Sequence, residues 1–316
     1  MLTVAIVLNP RSLTRGTAVP WQRAREALRQ GATVCGEVET RGDGRDAGRI
    51  ERLIRDGHPE VVIAAGGDGT VNEVAQSLVA LNSEAAPALG MVPLGTANNV
   101  ARSLGLRSCR QEGIDAVDCA AAAVLEGVRR RIDLGQVGGR HFVGSFAAGM
   151  DADILTTRNR VQRRLRLGPS IGGYPLYLLS CGLNLLRNRH TAAQLRIDGA
   201  DTSANVCNLL VLNTALYAGE FRFDAADASD DGRLDLHLFS GAADYVRGFV
   251  GAWRRHLRYE RGEVVEPPRL RRAREIIVEL ESPLASQLDG EEREHMNRYE
   301  IRVVPGALTV CVPAGR

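Results

Sequence analysis

Strand-like apolar segments alternate with amphipathic segments over the first 130 residues, and this alternation constrains the fold more than any other feature. The strand-like segments lie at 3–8, 33–38, 61–65 and 89–92. The segments with helical spacing of apolar residues lie between them, at 21–30, 45–56 and 71–81. Strands that alternate with helices pair in parallel through right-handed crossovers. The chain is therefore predicted to begin with an α/β domain built on a parallel sheet.

The pattern changes after Asp133, where turns rather than helices join most of the strand-like segments. These segments are 141–147, 194–197, 205–212, 234–239, 275–280, 299–304 and 308–312. Helices are predicted near 160–188 and 241–258. Short strands joined by turns are typical of an antiparallel sheet or sandwich. We therefore predict two domains, an α/β domain with a parallel sheet over 1–133 and a mainly antiparallel β domain over 134–316.

Composition excludes several classes of protein. The 316 residues include 40 basic and 38 acidic side chains, and a net charge of +2 gives the whole chain no electrostatic basis for binding nucleic acid. All 40 basic residues are arginine, which excludes a Schiff-base lysine and the lysine of a Walker phosphate loop. The six cysteines show no Cys-X-X-Cys spacing, so thiols in a reducing compartment are predicted rather than a zinc site.

The apolar segments predict a cytoplasmic protein. The first apolar run has no basic flank, so we interpret it as a strand and not as a signal peptide. No apolar run approaches the roughly 20 residues of a membrane span. Association with a membrane is therefore predicted to be peripheral at most.

Glycine-rich turns follow two of the predicted strands. Gly66–Thr70 (GGDGT) separates a strand from a helix, and Pro93–Asn98 (PLGTAN) follows the next strand. Glycines let backbone N–H groups approach a phosphate, and a helix N-terminus favours an anion. The carboxyl ends of parallel strands form the crevice in which open α/β sheets bind ligands. The carboxylate of Asp68 would repel a bare phosphate, which favours a nucleotide bound with Mg²⁺. A plain turn with Asp68 or Thr70 as helix cap is the alternative.

Further segments extend this pattern over nearly the whole chain. In chain order they are Asn9-Pro10, Thr40, Ile132–Gly135, Gly149–Ala152, Tyr217–Gly219, Asp230–Asp235, Leu288–Glu291 and Pro305–Leu308. Together with the two glycine-rich turns, the set resembles the catalytic domain of diacylglycerol kinases and of bacterial lipid kinases, which are related to sphingosine kinases. GGDGT alone is shared with NAD kinases, so the specificity lies in the combination.

The resemblance implies that the chain transfers the γ-phosphate of ATP, with Mg²⁺, to the hydroxyl group of a lipid alcohol such as diacylglycerol. Residues 1–133 would bind the nucleotide and residues 134–316 the lipid. The implied nucleotide contacts are Asn9, Thr40, Gly66, Gly67, Asp68, Gly69, Thr70, Val71, Asn72, Gly95, Thr96 and Asn98.

The resemblance also implies a proton acceptor and a metal loop. The catalytic segment matches Asp289–Glu291, where a carboxylate can accept the proton of the substrate hydroxyl. Glu291 is the favoured acceptor and Asp289 the alternative. A structural Mg²⁺ would be held by Ala228, Asp231 and Arg233, although a simple β-turn is an equal alternative. Asn99 departs from the family, which often has aspartate there, and thereby removes a negative charge near the nucleotide.

Arginine clusters in the second half favour an anionic membrane surface as a partner. They lie at Arg158–Arg166, Arg187–His190, Trp253–Tyr259 and Arg269–Arg274. Basic faces that also carry aromatic residues are attracted to anionic lipids, so peripheral binding at the inner face of a membrane is predicted. Solvated helix faces are the alternative. No nucleic-acid motif accompanies the arginines.

Two other functions stay open at this point. One is an NAD kinase-like enzyme that phosphorylates a soluble nucleotide, and the other is a non-catalytic sensor of nucleotide or lipid. Gly95–Asn98 and Asp289–Glu291 favour the lipid kinase.

Overall fold

The N-terminal part is the predicted α/β unit. The structure, a computed structural model, describes residues 1–83, 85–107, 112–164, 173–187, 189–224, 229–263 and 271–314. Four strands pair in parallel in the order β4-β3-β1-β2, and they are β1 (Thr3–Leu8), β2 (Thr33–Glu39), β3 (Val61–Gly66) and β4 (Ala88–Pro93). The helices are α1 (Ala18–Gly31), α2 (Asp46–Gly57), α3 (Asp68–Ala80), α4 (Asn99–Ser103) and α5 (Ile114–Leu125).

The second part is mainly antiparallel, which confirms the predicted fold class. Its strands are β5 (Val128–Val137), β6 (Arg140–Phe142), β7 (Ser145–Gly149), β8 (Thr191–Ile197), β9 (Ala200–Val206), β10 (Asn208–Leu212), β11 (Leu216–Tyr217), β12 (Phe221–Arg222), β13 (Leu234–Phe239), β14 (Arg271–Ala273), β15 (Glu275–Leu288) and β16 (Glu291–Val312). Its helices are α6 (Met150–Arg164), α7 (Gly173–Arg187) and α8 (Ala242–Glu260). In the described ranges no helix is long and apolar enough to cross a membrane.

The last strand joins the two parts. Its first half pairs antiparallel with β15, and near its end Val310 pairs in parallel with Leu89 of β4. The described strands, apart from the β11–β12 hairpin, therefore form one sheet of 14. The predicted strands at 299–304 and 308–312 are this single element. A register shift between Val304 and Leu308 accommodates the proline and glycine between them.

Three hydrophobic clusters hold the layers together. The first lies between the parallel strands and α1–α5, and it also contains Leu308, Val310, Cys311 and Val312. The second lies among the antiparallel strands, and the third lies beneath α6, α7 and α8. Residues 308–312 thus pack into the first core, although the predicted division at 133 assigns them to the second domain.

Candidate active site

The two glycine-rich turns lie against each other at the carboxyl ends of β3 and β4. The backbone N–H groups of Leu94 and Gly95 donate to the carbonyl oxygen of Gly66, at 2.8 and 3.1 Å. A Cβ atom placed on Gly95 would lie 2.4 Å from the Cα atom of Gly67. Only glycine allows the two turns to approach this closely. The turns therefore bring the N-termini of the two helices that follow them close together in the crevice.

Asp68 links the first turn to the second. Its carboxylate accepts hydrogen bonds from the backbone N–H of Val100 (3.1 Å) and from the side-chain amide of Asn99 (3.2 Å). Burial raises the pKa of Asp68, and these hydrogen bonds oppose the shift. Asp68 therefore caps α4, a role that the sequence prediction did not give it.

Asn99 acts as a bridge, whereas the sequence showed only a lost charge. Its amide nitrogen donates to Asp68, and its amide oxygen accepts from the backbone N–H of Gly219 at 2.7 Å. An aspartate could accept from Gly219 but could not donate to Asp68. Asparagine therefore connects the nucleotide-type turn with the Tyr217–Gly219 segment of the second part.

The predicted nucleotide contacts from β1 and β2 lie beside the first turn. The backbone N–H of Asn9 donates to the carbonyl of Ala65, and that of Thr40 donates to Leu8. The oxygen of the Asn9 side chain accepts from the backbone N–H of Arg11 at 3.0 Å. Parallel pairing of β2, β1 and β3 therefore places both residues along the same edge as Gly66.

The contacts predicted on α3 and in the second turn differ in burial and in whether their side chains already have a hydrogen-bond partner. The Thr70 hydroxyl is buried and has no hydrogen-bond partner among the described residues, so a donor is available beneath Gly66. Val71 is buried in the first core, and Asn72 accepts from the amide of Gln76. In the second turn Asn98 is buried with a positive φ of 51°, whereas Thr96 is exposed.

Asp289 sits in the tight turn between β15 and β16. Its carboxylate accepts three backbone N–H bonds, from Val143 (2.8 Å), Gly144 (2.9 Å) and Ser145 (2.7 Å). Burial raises its pKa to about 6 in spite of these three bonds, and the charge of Asp68 adds to the rise. The turn is thus fixed to β7, and its carboxylate lies near the first glycine-rich turn.

Glu291 is exposed and faces a pocket of about 420 Å³. It makes an ion pair with Arg293 at 2.8 Å. Glu73, which lines the same pocket, has a pKa raised to about 7 by burial and by the charges of Asp46 and Glu291. Glu73 was missed as a site residue, although it belongs to the GGDGTVNEV segment.

A buried hydrogen-bond network stands behind the Asp289–Glu291 turn. Buried Asp151 accepts from the hydroxyl groups of Tyr245 (2.5 Å) and Tyr217, and burial raises its pKa to about 6. The Gln287 amide donates to the Tyr217 hydroxyl at 3.3 Å and accepts from the backbone N–H of Gly290 at 2.7 Å. The network therefore connects a buried carboxylate with the middle residue of the turn.

The predicted metal loop is only partly described. Ala228 lies outside the described residues, and Asp231 accepts from the backbone N–H of Arg233 at 2.9 Å. Arg272 contacts Asp224 (2.6 Å), Asp235 (3.2 Å) and Asp231 (3.4 Å), so these three carboxylates share one guanidinium. The structural Mg²⁺ therefore stays a prediction.

Asp133 holds this loop in place. Its carboxylate accepts from the backbone N–H groups of Gly232 (2.6 Å) and Gly306 (2.7 Å), and its own N–H donates to Ser229. Within the ranges that the structure describes, no three His, Cys, Asp or Glu side chains are arranged to hold a metal ion by themselves.

Comparison with known proteins gives sequence matches over most of the chain. The family described as diacylglycerol kinase catalytic domain matches residues 3–137. A protein of Chromohalobacter salexigens named "Probable lipid kinase YegS-like" is 32% identical over 289 residues, covering 88% of this chain and 84% of that protein. The diacylglycerol kinase of Bacillus subtilis is 30% identical over 265 residues, covering 82% and 78%.

A solved structure shares the fold. The crystal structure of a diacylglycerol kinase from Bacillus anthracis superimposes with a TM-score of 0.73 over 99% of this chain and 97% of that one, at 20% identity. At 20% identity, this superposition shows that the two proteins share an architecture, including the order of its two parts along the chain.

Proposed function

The chain belongs to the diacylglycerol kinase catalytic-domain family, and on that premise we propose that it transfers the γ-phosphate of ATP to the hydroxyl group of a lipid alcohol such as diacylglycerol. The observation that carries the proposal is the contact between the Gly66–Thr70 and Pro93–Asn98 turns, with the Asp289–Glu291 turn beside them. A phosphate crevice and a pair of carboxylates are the parts that phosphoryl transfer to an alcohol needs.

The nucleotide would bind at the edge formed by Asn9, Thr40 and the two glycine-rich turns. Backbone approach is open at Gly69, where a Cβ atom would meet nothing within 4 Å, and the N-terminus of α3 favours phosphate oxygens. The unpartnered Thr70 hydroxyl is a further donor. Mg²⁺ typically uses one or two carboxylates together with substrate phosphates, so Asp68 is the proposed carboxylate for a Mg²⁺ bound with the nucleotide, which would neutralise charge on the phosphates.

Glu291 is the proposed proton acceptor. Both oxygens of Asp289 already accept backbone N–H bonds, so that carboxylate is committed to holding the turn. Glu291 is exposed to the pocket, where its side chain can reach a hydroxyl group. A carboxylate in this place orients the attacking oxygen and receives its proton during transfer.

The experiment that tests the proposal is phosphoryl transfer from labelled ATP to a panel of lipid alcohols in detergent micelles, with NAD as a separate acceptor. We expect label in a lipid product, dependent on Mg²⁺. Label in NADP would support the NAD kinase-like alternative instead. Binding of ATP or lipid without transfer to any acceptor would support a sensor.

A lipid acceptor implies work at a membrane, and we propose peripheral binding to the anionic inner face by a cytoplasmic protein. The structure leaves fewer free arginines than the sequence suggested. Arg272 contacts three carboxylates, and both Arg166 and Arg269 lie outside the described residues. Of the four predicted arginine clusters, Trp253–Tyr259 is the one that lies entirely within the described residues, on helix α8.

A further inference from the structure

Helix α8 has two apolar faces, and only one of them is used by the fold. Tyr245, Phe249 and Ala252 are buried in the third cluster. On the outer side Val246, Val250, Trp253 and Leu257 are 37–43% exposed. Their spacing of four, three and four residues places them along one stripe of the helix. The folded chain therefore leaves a large apolar stripe in solvent that it does not need for its own core.

Arginines run beside this stripe. Arg247, Arg254 and Arg258 each follow a stripe residue directly, so they lie about 100° further round the helix. All three are exposed, and Arg261 follows the end of the helix. Asp244 lies 3.8 Å from Arg247, and Glu263 lies 2.7 Å from Arg258. An apolar stripe with an arginine flank is the pattern of a helix that lies in a lipid–water interface.

The exposed apolar residues are concentrated on one layer of the molecule. Helix α7 contributes Leu179, Leu183 and Leu186 on its outer side, and its Cys181 and Leu185 pack against the same cluster as α8. Among the described residues, seven of the 13 exposed large hydrophobic side chains belong to these two helices. Concentrated exposed apolar surface marks an interaction site, whereas scattered residues do not.

We infer that α8 is the helix by which the protein docks on an anionic lipid surface. The apolar stripe would lie at the boundary between the lipid head groups and the acyl chains. Trp253 would sit at this interface, and the arginines would contact lipid phosphates. A second copy of the chain fits less well, because a twofold contact would place the same arginine row against itself. The inference rests on the proposed function, since a lipid acceptor supplies the surface.

Tryptophan fluorescence tests this directly, because the chain has two tryptophans and Trp21 is buried. In Trp21→Phe, vesicles of phosphatidylglycerol and phosphatidylcholine should shift the emission of Trp253 to shorter wavelength, and lipids brominated on the acyl chain should quench it. If the Trp21→Phe chain misfolds, the wild type reports the same change above a constant Trp21 signal. Unchanged emission in the presence of excess anionic vesicles would overturn the inference, whether or not the protein sediments with them.

A pair of variants isolates the stripe. Trp253→Asp combined with Leu257→Asp should weaken co-sedimentation with anionic vesicles at least tenfold, whereas Val19→Asp, at an exposed site on α1, should leave it unchanged. Equal binding of all three proteins would overturn the inference. So would a wild-type dimer in lipid-free solution that the double variant converts to a monomer, because the stripe would then cover a second copy.

The docking role and the proposed reaction can fail separately. With diacylglycerol in detergent micelles the double variant should react at the wild-type rate, and with diacylglycerol in vesicles it should react several-fold more slowly. Absence of transfer to any lipid, together with intact vesicle binding through α8, would overturn the proposed reaction and would still support α8 as the docking helix. Transfer in vesicles at the wild-type rate by the double variant would overturn the docking role alone.

Discussion

At the scale of single residues, the contact between Gly67 and Gly95 is the tightest constraint in the crevice. A side chain on Gly95 would meet backbone atoms of Gly67, which cannot rotate away. Gly95→Ala should therefore force the two turns apart, reduce stability by about 1–3 kcal/mol and lower the affinity for ATP. Thermal unfolding and calorimetric titration with ATP measure the two effects.

Gly69→Ala is the matched control for stability in the first turn. A Cβ atom there meets nothing within 4 Å, and the residue lies in the first turn of α3. Its unfolding temperature should equal or slightly exceed that of the wild type, because alanine favours helix over glycine by roughly 0.5–1 kcal/mol. Equal losses of stability in both variants would contradict the proposed contact.

The two carboxylates of the β15–β16 turn should respond differently to neutralisation. Glu291→Gln removes the proposed proton acceptor and should lower kcat by roughly 10²–10⁴ while ATP affinity is kept. Asp289→Asn places an amide among three N–H donors and should cost about 1–3 kcal/mol of stability. If Glu291→Gln keeps its kcat and stable Asp289→Asn loses it, the acceptor is Asp289.

The titration of Glu73 makes the stability of the folded protein depend on pH. Its pKa in the folded protein is raised to about 7, above that of an unfolded glutamate. Its favourable contribution is therefore complete below about pH 4 and is lost as the pH rises through 7. Glu73→Gln should gain stability relative to the wild type at pH 8 and gain clearly less at pH 5, where only part of the contribution has been lost. Denaturant midpoints at both pH values measure this, and a constant difference would contradict it.

The roles of individual residues were predictable only where they depend on local sequence. The turns Gly66–Thr70 and Pro93–Asn98 can be recognised from the sequence alone, because in each case a strand, glycine and a helix follow one another in the chain. The bridge from Asp68 through Asn99 to Gly219 depends on residues far apart in sequence. The raised pKa of Glu73 likewise comes from Asp46 and Glu291, which only the fold brings near.

At the scale of elements, the network behind the Asp289–Glu291 turn connects β11 with the end of β15. Tyr217 contacts both Asp151 and Gln287, and Gln287 holds Gly290. Tyr217→Phe should therefore loosen the turn and lower kcat several-fold, in addition to a loss of about 1 kcal/mol of stability. ATP affinity should not change, since the turn and not the glycine crevice is affected.

Tyr245→Phe provides the control for this network. Tyr245 donates to the same carboxylate of Asp151, whereas the hydroxyl that joins Asp151 to Gln287 is that of Tyr217, so Tyr245→Phe should cost similar stability while kcat is kept. Steady-state kinetics with saturating ATP distinguish the two variants. Equal kcat values for both would show that the network supports the core and not the turn.

Element boundaries followed the sequence best where a strand or helix packs locally. The strands at 3–8 and 234–239 have the predicted bounds, and β2, β3 and β4 differ by one residue at one or both ends. Other elements required the tertiary structure, among them β5, which no predicted strand covers, and the predicted strand at 141–147, which is divided between β6 and β7. The predicted strand at 205–212 is divided at Cys207 because β9 and β10 pair with different neighbours. The helix α5, rich in alanine, was missed near the end of the N-terminal domain.

At the scale of the whole molecule, the end of β16 completes the N-terminal core. Deletion of residues 308–316 would remove four buried side chains and expose the edge of β4. We expect this truncated protein to be insoluble or largely unfolded, because each lost aliphatic side chain costs about 1.5–3 kcal/mol. A chain that ends after Val312 should unfold at nearly the wild-type temperature. A soluble, cooperatively unfolding protein ending at 307 would contradict this.

The same strand imposes an order on biosynthesis. Residues 61–93 leave the ribosome long before residues 308–312, so β4 lacks its outer neighbour while the chain between them is made. Pairing between such distant segments forms slowly, and an open strand edge invites association with other chains in the meantime. The nucleotide-type crevice is thus encoded well before the strand that completes its sheet, and the open edge of β4 is where we expect the nascent protein to need protection from association.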